Sequence, residues 1–264
     1  LVDAGAVVVA SDYEGLGTPG PHPFLVGESA GRGVLDAALA VRQLPDVTVG
    51  DQLAVYGLSQ GGHAALWAAQ LAPTWAPELE LVGTVAAAPF SEVDLLLPAA
   101  GAISGAEGYL VLGVYGQAAA NPDLDPTAVL DQAVVAQASL IEEACLQEVA
   151  DTFRQLAQDS GRPIASLTAL GEPAWAEQLQ SIKPGMQRIE TPLLIAQGGR
   201  DTTIPAVTTD ILVTRLCQNG STVAKVMSEE AGPSEIVVAA DAEIRQWLSA
   251  RLDGEPATST CPGG

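Results

Sequence analysis

A chain of 264 residues, 48 % of them apolar, is long enough to bury a sizeable core as one large α/β domain or two small ones. None of its apolar runs reaches membrane-spanning length, so no integral membrane segment is expected. The net charge of −21, from 32 acidic against 11 basic residues, repels nucleic acid and anionic membranes and argues against phosphate binding. Three cysteines are too few for a disulfide scaffold and lack metal-ligand spacing, and the two histidines, His22 and His63, offer no paired-ligand spacing either. No metal and no cofactor are therefore expected. Cys217 pairs with Cys261 if the protein is exported, although a Cys145–Cys261 bridge is equally open. Asn219-Gly220-Ser221 fits a short glycosylation pattern.

Residues Leu1 to Gly5 run straight into a strand-like stretch, which carries the expectation that N-terminal parts of the natural protein precede it. Ala6-Val7-Val8-Val9-Ala10 is continuous, apolar and β-branched, the pattern of a strand buried on both faces of a parallel sheet. Ser11-Asp12-Tyr13-Glu14-Gly15-Leu16-Gly17 follows, then a Pro- and Gly-rich loop through Pro23. Polar groups here stand where open α/β sheets bind ligands, although Asp12 and Glu14 read equally well as solvated turn residues. A helix is predicted over 31–44, with Val34, Leu35, Ala38 and Val41 on one face and Pro45 as its stop.

The next stretch carries the clearest chemistry. Leu53-Ala54-Val55-Tyr56 reads as a buried strand and Ala64 to Leu71 as a helix, and between them lies Gly57-Leu58-Ser59-Gln60-Gly61. This is the G-x-S-x-G pattern of a nucleophile elbow. A serine on so sharp a strand-to-helix turn crowds the residues two before and two after it, and glycine removes the clashing Cβ atoms. The turn also aims a helix N-terminus at the place where an oxyanion forms. Short patterns of this kind occur by chance, but the strand before and helix after favour the nucleophile reading.

Leu81 to Ala88 makes another buried strand, and the alternation of strand and helix predicts a parallel, helix-covered sheet. From about 91 to 188 the character changes to helix-like segments, including 126–149 and 151–158, broken by prolines. This reads as an inserted helical cap, leaving 1–90 and 189–264 as the core. Its apolar run Tyr109–Tyr115 reads as cap core or, less simply, as pocket lining. The sheet resumes at Pro192–Gln197. Asp201 follows a few residues past that strand, where a triad acid belongs, a surface turn being the plainer alternative. A helix over 206–217, a strand over 222–227 and a last helix over 236–252 complete the chain.

Taken together, Ser11–Gly17, Gly57–Ala64, the helical cap and Gln197-Gly198-Gly199-Arg200-Asp201 with Ile204-Pro205 resemble the secretory lipase family, the lipase A group of α/β-hydrolases. The resemblance runs through nearly the whole chain. It implies hydrolysis of carboxylic esters, including triacylglycerols, without a metal, in a secreted protein that meets small ester or lipid substrates at a lipid–water interface. It further implies Ser59 as nucleophile, Asp201 as triad acid, and Gln60 and Asp12 as the oxyanion positions. Two departures stand out. The family has further strands before Ala6, and the family's catalytic histidine position, in Glu230-Ala231-Gly232-Pro233-Ser234-Glu235, is occupied by Pro233. His63, one turn into the nucleophile helix, and His22, in Pro21-His22-Pro23, read as structural.

The expectation is thus an α/β-hydrolase fold, a mostly parallel sheet with a helical cap, with the chemistry of a serine ester hydrolase of lipase type whose turnover Pro233 puts in doubt. A non-catalytic ester- or lipid-binding protein, and another G-x-S-x-G hydrolase such as a peptidase or thioesterase, are the alternatives.

Overall fold

The computed structural model describes residues 2, 5–101, 103 and 105–262; Leu1, Asp3 and Ala4, at the start of the first expected strand region, lie outside the described residues. The chain divides into two compact units, one of residues Leu1–Ser11, Ala30–Glu92 and Pro184–Gly264, the other of Asp12–Ser29 and Val93–Lys183.

The first unit holds the sheet. After α1 (Gly27–Val41) come β1 (Gln52–Leu58), α2 (Gln60–Trp75), β2 (Glu80–Ala87), β3 (Leu193–Gly198), α11 (Ala206–Gln218), β4 (Val223–Ser228), α12 (Ile236–Ala239) and α13 (Asp241–Leu252), with helices α3–α10 lying between Val93 and Ser181. The four strands are parallel in the order β1-β2-β3-β4. Parallel neighbours need a crossover, and α2 and α11 supply it between β1 and β2 and between β3 and β4. All six residues of β3 are buried, which is why its sequence is an unbroken apolar run until Gln197. Leu193 and Ile195 of β3 pack with Leu66 of α2, Ala86 of β2, Leu212 and Leu216 of α11 and Val223 of β4 in one core cluster. Each of these large side chains contributes about 1.5–3 kcal/mol by leaving water.

The run Ala6–Ala10 is not the buried strand its composition suggests. It forms no ladder among the described residues, and Val7, Val8 and Val9 are 48 %, 58 % and 42 % exposed. An apolar run becomes a strand only where a neighbour takes its N–H and C=O groups, and here none does. The first helix ends at Val41 rather than Leu44: Arg42, Gln43 and Leu44 donate instead to carbonyls three residues back, tightening the chain before Pro45. The final helix breaks at Ala240 into α12 and α13.

Cys217 and Cys261 form a disulfide, and Cys145 is free and exposed. The sequon at Asn219 is put to structural use. The Asn219 side chain donates to Gly185 O at 3.0 Å, and the buried Ser221 hydroxyl accepts from Ile189 N at 2.9 Å. Where the chain leaves this unit, the carboxylate of Glu92, 1 % exposed, meets Arg215 of α11 in two hydrogen bonds of 3.1 and 2.6 Å. Where it returns, Arg215 Nη2 donates to Pro184 O at 3.2 Å.

The second unit is helical. Its apolar run at 109–115 lies in α4 (Glu107–Ala120), whose Leu110, Val111 and Val114 are fully buried, so it is core of this unit. Glycines let neighbours approach α4 closely: a Cβ on Gly108 would stand 2.8 Å from Ala150 Cα of α8 (Leu146–Ser160), and one on Gly116 would overlap the backbone of Phe24. Gln117 Nε2 also donates to Phe24 O at 2.9 Å, which ties residues 12–29 to this unit. Between 126 and 149 the expected helix is broken into three four-residue helices and the start of α8. Asp125 and Asp131 cap two of them by accepting from Thr127 N and Ala133 N. A half-buried Lys183–Asp94 pair at 3.0 Å closes the unit near its end.

Candidate active site

Because the strands are all parallel, the loops that follow β1, β3 and β4 emerge on one edge of the sheet. Ser59 stands between β1 and α2 with φ 56° and ψ −113°, a conformation a non-glycine residue adopts only under constraint and at a cost of about 1–3 kcal/mol. The constraint is visible. Ser59 N donates to Ala87 O at 2.8 Å, and Ser59 O accepts from His63 N at 3.0 Å and Phe90 N at 3.3 Å. A Cβ on Gly57 would overlap the Gly61 backbone, and one on Gly62 would stand 3.0 Å from Ala87 O and Pro89 Cα. A serine before a helix is usually there to cap it, but Ser59 makes no side-chain cap hydrogen bond. The residue is partly exposed. Gln60 opens α2, in the turn whose amides precede any intrahelical acceptor.

Asp201 lies three residues beyond β3 and is 6 % exposed. Its Oδ1 accepts from Thr203 N at 2.8 Å and Ile204 N at 2.7 Å, whereas Oδ2 is buried with no hydrogen-bond partner among the described residues. Burial raises the carboxyl pKa above its ordinary value, against the lowering effect of the Ile204 and Thr203 amides and of the Gln197 side chain. The turn after β4 packs directly on this loop: Gly199 N donates to Ser228 O at 2.8 Å and Arg200 N to Ala231 O at 3.0 Å. A Cβ on Gly199 would stand 2.6 Å from Glu229 O, so only glycine permits the approach. Four residues past Glu229 is Pro233, exposed and without an ionisable group. The carboxylates near it are engaged, Glu230 with Arg200 and Glu235 with Gly232 N at 2.7 Å.

This order of loops, serine elbow then buried aspartate then a third turn, is that of an α/β-hydrolase. The model of the family described as secretory lipase matches residues 1–260. The chain belongs to the secretory lipase family. Among curated relatives, lipase A of Arthroderma benhamiae is 27 % identical across 98 % of the chain, and the secreted triacylglycerol lipase LIP7 of Malassezia globosa 24 % identical across 99 %. The chain spans only 56 % and 57 % of their lengths. Among solved structures, Candida antarctica lipase A in its closed state superposes with a TM-score of 0.77 at 21 % identity, over 90 % of this chain and 57 % of that one. The rice cell wall degrading esterase LipA of Xanthomonas oryzae gives 0.69 at 20 % identity, over 93 % and 71 %. These structural likenesses establish the α/β-hydrolase fold.

In this member of the secretory lipase family the other sequence-selected residues divide between the two units. Asp12 is exposed and belongs to the helical unit. His22 is in that unit too. Its Nδ1–H donates to Glu14 O at 2.7 Å, its ring stacks on Tyr13 and meets the edge of Phe24, and burial lowers its pKa. His63 is fully buried on α2, with Nδ1–H donating to Phe90 O at 3.0 Å, a structural placement that holds the start of the segment after β2. Two residues without an expected role, Gln197 and Thr209, are fully buried beside the Asp201 loop. The one available signal was a lone amide in an otherwise apolar strand. Among the described residues no group of three or more potential ligands could hold a metal.

Proposed function

We propose that the chain carries the acyl-transfer centre of a lipase-type ester hydrolase, with Ser59 as nucleophile and Asp201 as the acid of its triad. The observation that carries this reading is Ser59 itself: a strained serine between strand and helix whose hydroxyl does not cap the helix it precedes. In the reaction Ser59 Oγ bonds to the ester carbonyl carbon as its proton passes to a base. The carbonyl oxygen becomes an oxyanion that accepts from the Gln60 N–H and, as the family resemblance implies, from Asp12. Collapse expels the alcohol and leaves an acyl-serine, which water then cleaves. The free Oδ2 of Asp201 suits it to orient an imidazolium.

Pro233 bears on the rate. It stands in the turn beside the aspartate loop, where the resemblance expects the histidine, and it can neither take the Ser59 proton nor donate to Asp201. Losing that base in serine hydrolases costs about 10⁶ in turnover, leaving about 10³–10⁴ over water. The chain as it stands is therefore read as binding esters while hydrolysing them slowly. The same residue favours a second reading, a binding protein for esters or lipids that no longer turns them over. The disulfide supports an exported protein, since such bonds persist in oxidising compartments.

The deciding experiment compares hydrolysis of p-nitrophenyl esters by the unaltered chain, Ser59→Ala and Pro233→His. A rise of several hundredfold or more in Pro233→His that disappears when Ser59→Ala is added supports the ester hydrolase. Robust turnover by the unaltered chain that is abolished by His22→Ala would show that a different base operates. Ester binding without any gain from Pro233→His would favour the binding protein.

A further inference from the structure

The Asp201 loop is held by a buried side-chain relay that reaches it from two other elements. Gln197 is the last residue but one of β3, and Thr209 lies on α11; both are fully buried. Thr209 Oγ1 donates to Gln197 Oε1 at 2.6 Å. The Gln197 amide nitrogen donates to Gly198 O and to Ile204 O, each at 3.0 Å. Ile204 N donates in turn to Asp201 Oδ1 at 2.7 Å. Every hydrogen-bonding atom of the Gln197 amide thus has a partner, and only one orientation of the amide satisfies them. The reverse would set its oxygen against two carbonyl oxygens. Ile204 is consequently fixed at both ends, its carbonyl by Gln197 and its amide by the carboxylate.

We propose that Gln197 and Thr209 are the positioning pair for Asp201, setting the direction of its carboxylate through Ile204. The inference rests on Asp201 being the triad acid. A polar glutamine at the close of an apolar strand otherwise has no reason to be there, because an apolar residue would fill the space without needing three hydrogen-bond partners. With every atom of its amide partnered, Gln197 holds one geometry. The charged groups of the neighbouring turn do not compete for the carboxylate, as Arg200 pairs with Glu230 and Glu235 folds onto Gly232 N.

The test separates the pair from the reading it rests on. Thr209→Val removes only the hydroxyl from a side chain of the same shape, and Thr209→Ser gives the hydroxyl back. In the otherwise unaltered protein, the Asp201 carboxyl is followed by carbon-13 NMR against pH and assigned with Asp201→Asn. Thr209→Val is expected to raise the Asp201 pKa by about one unit, because releasing Gln197 loosens the Ile204 amide from Oδ1. Thr209→Ser is expected to restore it. Gln197→Leu should give the same direction or a larger shift, and serves as the second variant. In the Pro233→His background, Thr209→Val is expected to lower kcat by about tenfold with KM within twofold, since misdirecting the acid affects the step and not the binding. An Asp201 titration unchanged by both Thr209→Val and Gln197→Leu overturns the positioning role. A shifted titration with no effect on Pro233→His turnover upholds the pair and instead refutes Asp201 as the triad acid.

Discussion

Removing the Cys217–Cys261 bridge is expected to cost the protein about 4 kcal/mol. The two half-cystines are 44 residues apart, and closing a loop of that length removes roughly this much chain entropy from the unfolded state. The folded state loses little at the same time. The tail it fastens has other bonds to the body of the unit, among them Thr260 N to Val223 O at 2.7 Å, the Ser259 and Thr260 hydroxyls to the same carbonyl at 3.3 Å, and Arg251 Nη2 to Pro256 O at 3.1 Å. For a chain of this size a loss of about 4 kcal/mol lowers the unfolding midpoint by roughly 8–16 °C. The assay is thermal unfolding followed by circular dichroism, for the oxidised protein, the protein with a phosphine reductant, and Cys261→Ser. Cys145→Ser, which leaves the bridge intact, is the control. Thiol titration in denaturant should find one reactive thiol before reduction and three after, because Cys145 alone is free. A midpoint that reduction moves by less than about 2 °C, with the thiol counts as expected, would refute the entropic argument. Equal losses in Cys145→Ser and Cys261→Ser would mean that the wrong pair is bonded.

Gly57→Ala should destabilise the protein by 3 kcal/mol or more, roughly the upper end for overpacking, since the new methyl overlaps the Gly61 backbone and no side chain is there to move aside. Urea unfolding measures it, and a loss under about 1 kcal/mol would mean the turn relaxes freely. Glu92→Gln strands the Arg215 guanidinium and should cost about 3–5 kcal/mol, while the double change Glu92→Leu with Arg215→Met should recover most of that. No recovery in the double variant would make the pair more than a matter of charge. Asp201 has a raised pKa in the folded protein, so the folded state binds its proton more tightly than the unfolded chain does. The stabilisation is complete below the unfolded value near 4 and is lost as pH rises through the folded value. Asp201→Asn should therefore gain stability relative to the parent as pH rises across that window, and a constant difference between the two would contradict the burial argument.

Features set by local sterics were legible in the sequence. The elbow was readable because Gly57 records crowding against the Gly61 backbone four positions on, and β3 because burial on both faces demands a continuous apolar run. Pairing is another matter. Ala6–Ala10 and Leu193–Ala196 carry the same kind of apolar signal, yet only the second has neighbours to complete its ladder, and no window of sequence contains that information. The breaks between 126 and 149 were marked by Asp125-Pro126 and by Asp131, each a helix start rather than a helix interior, and the apolar spacing hid them. Of the candidate site, Ser59, Gln60 and Asp201 stood out because their loops follow strands. Gln197 did not, because its partners come from a loop seven residues on and a helix twelve residues on.

One guanidinium touches the chain where it departs at Glu92 and where it comes back at Pro184, and evolution can make use of that. A detour that begins and ends at one anchored spot can grow, shrink or be exchanged without asking the sheet to move, since loop closure charges little for added length. The residues in between, about 90 by their numbering, are in this sense a cassette whose two ends Arg215 holds together. Variation among relatives is then free to concentrate there, while the strands and their elbow keep the spacing the chemistry needs.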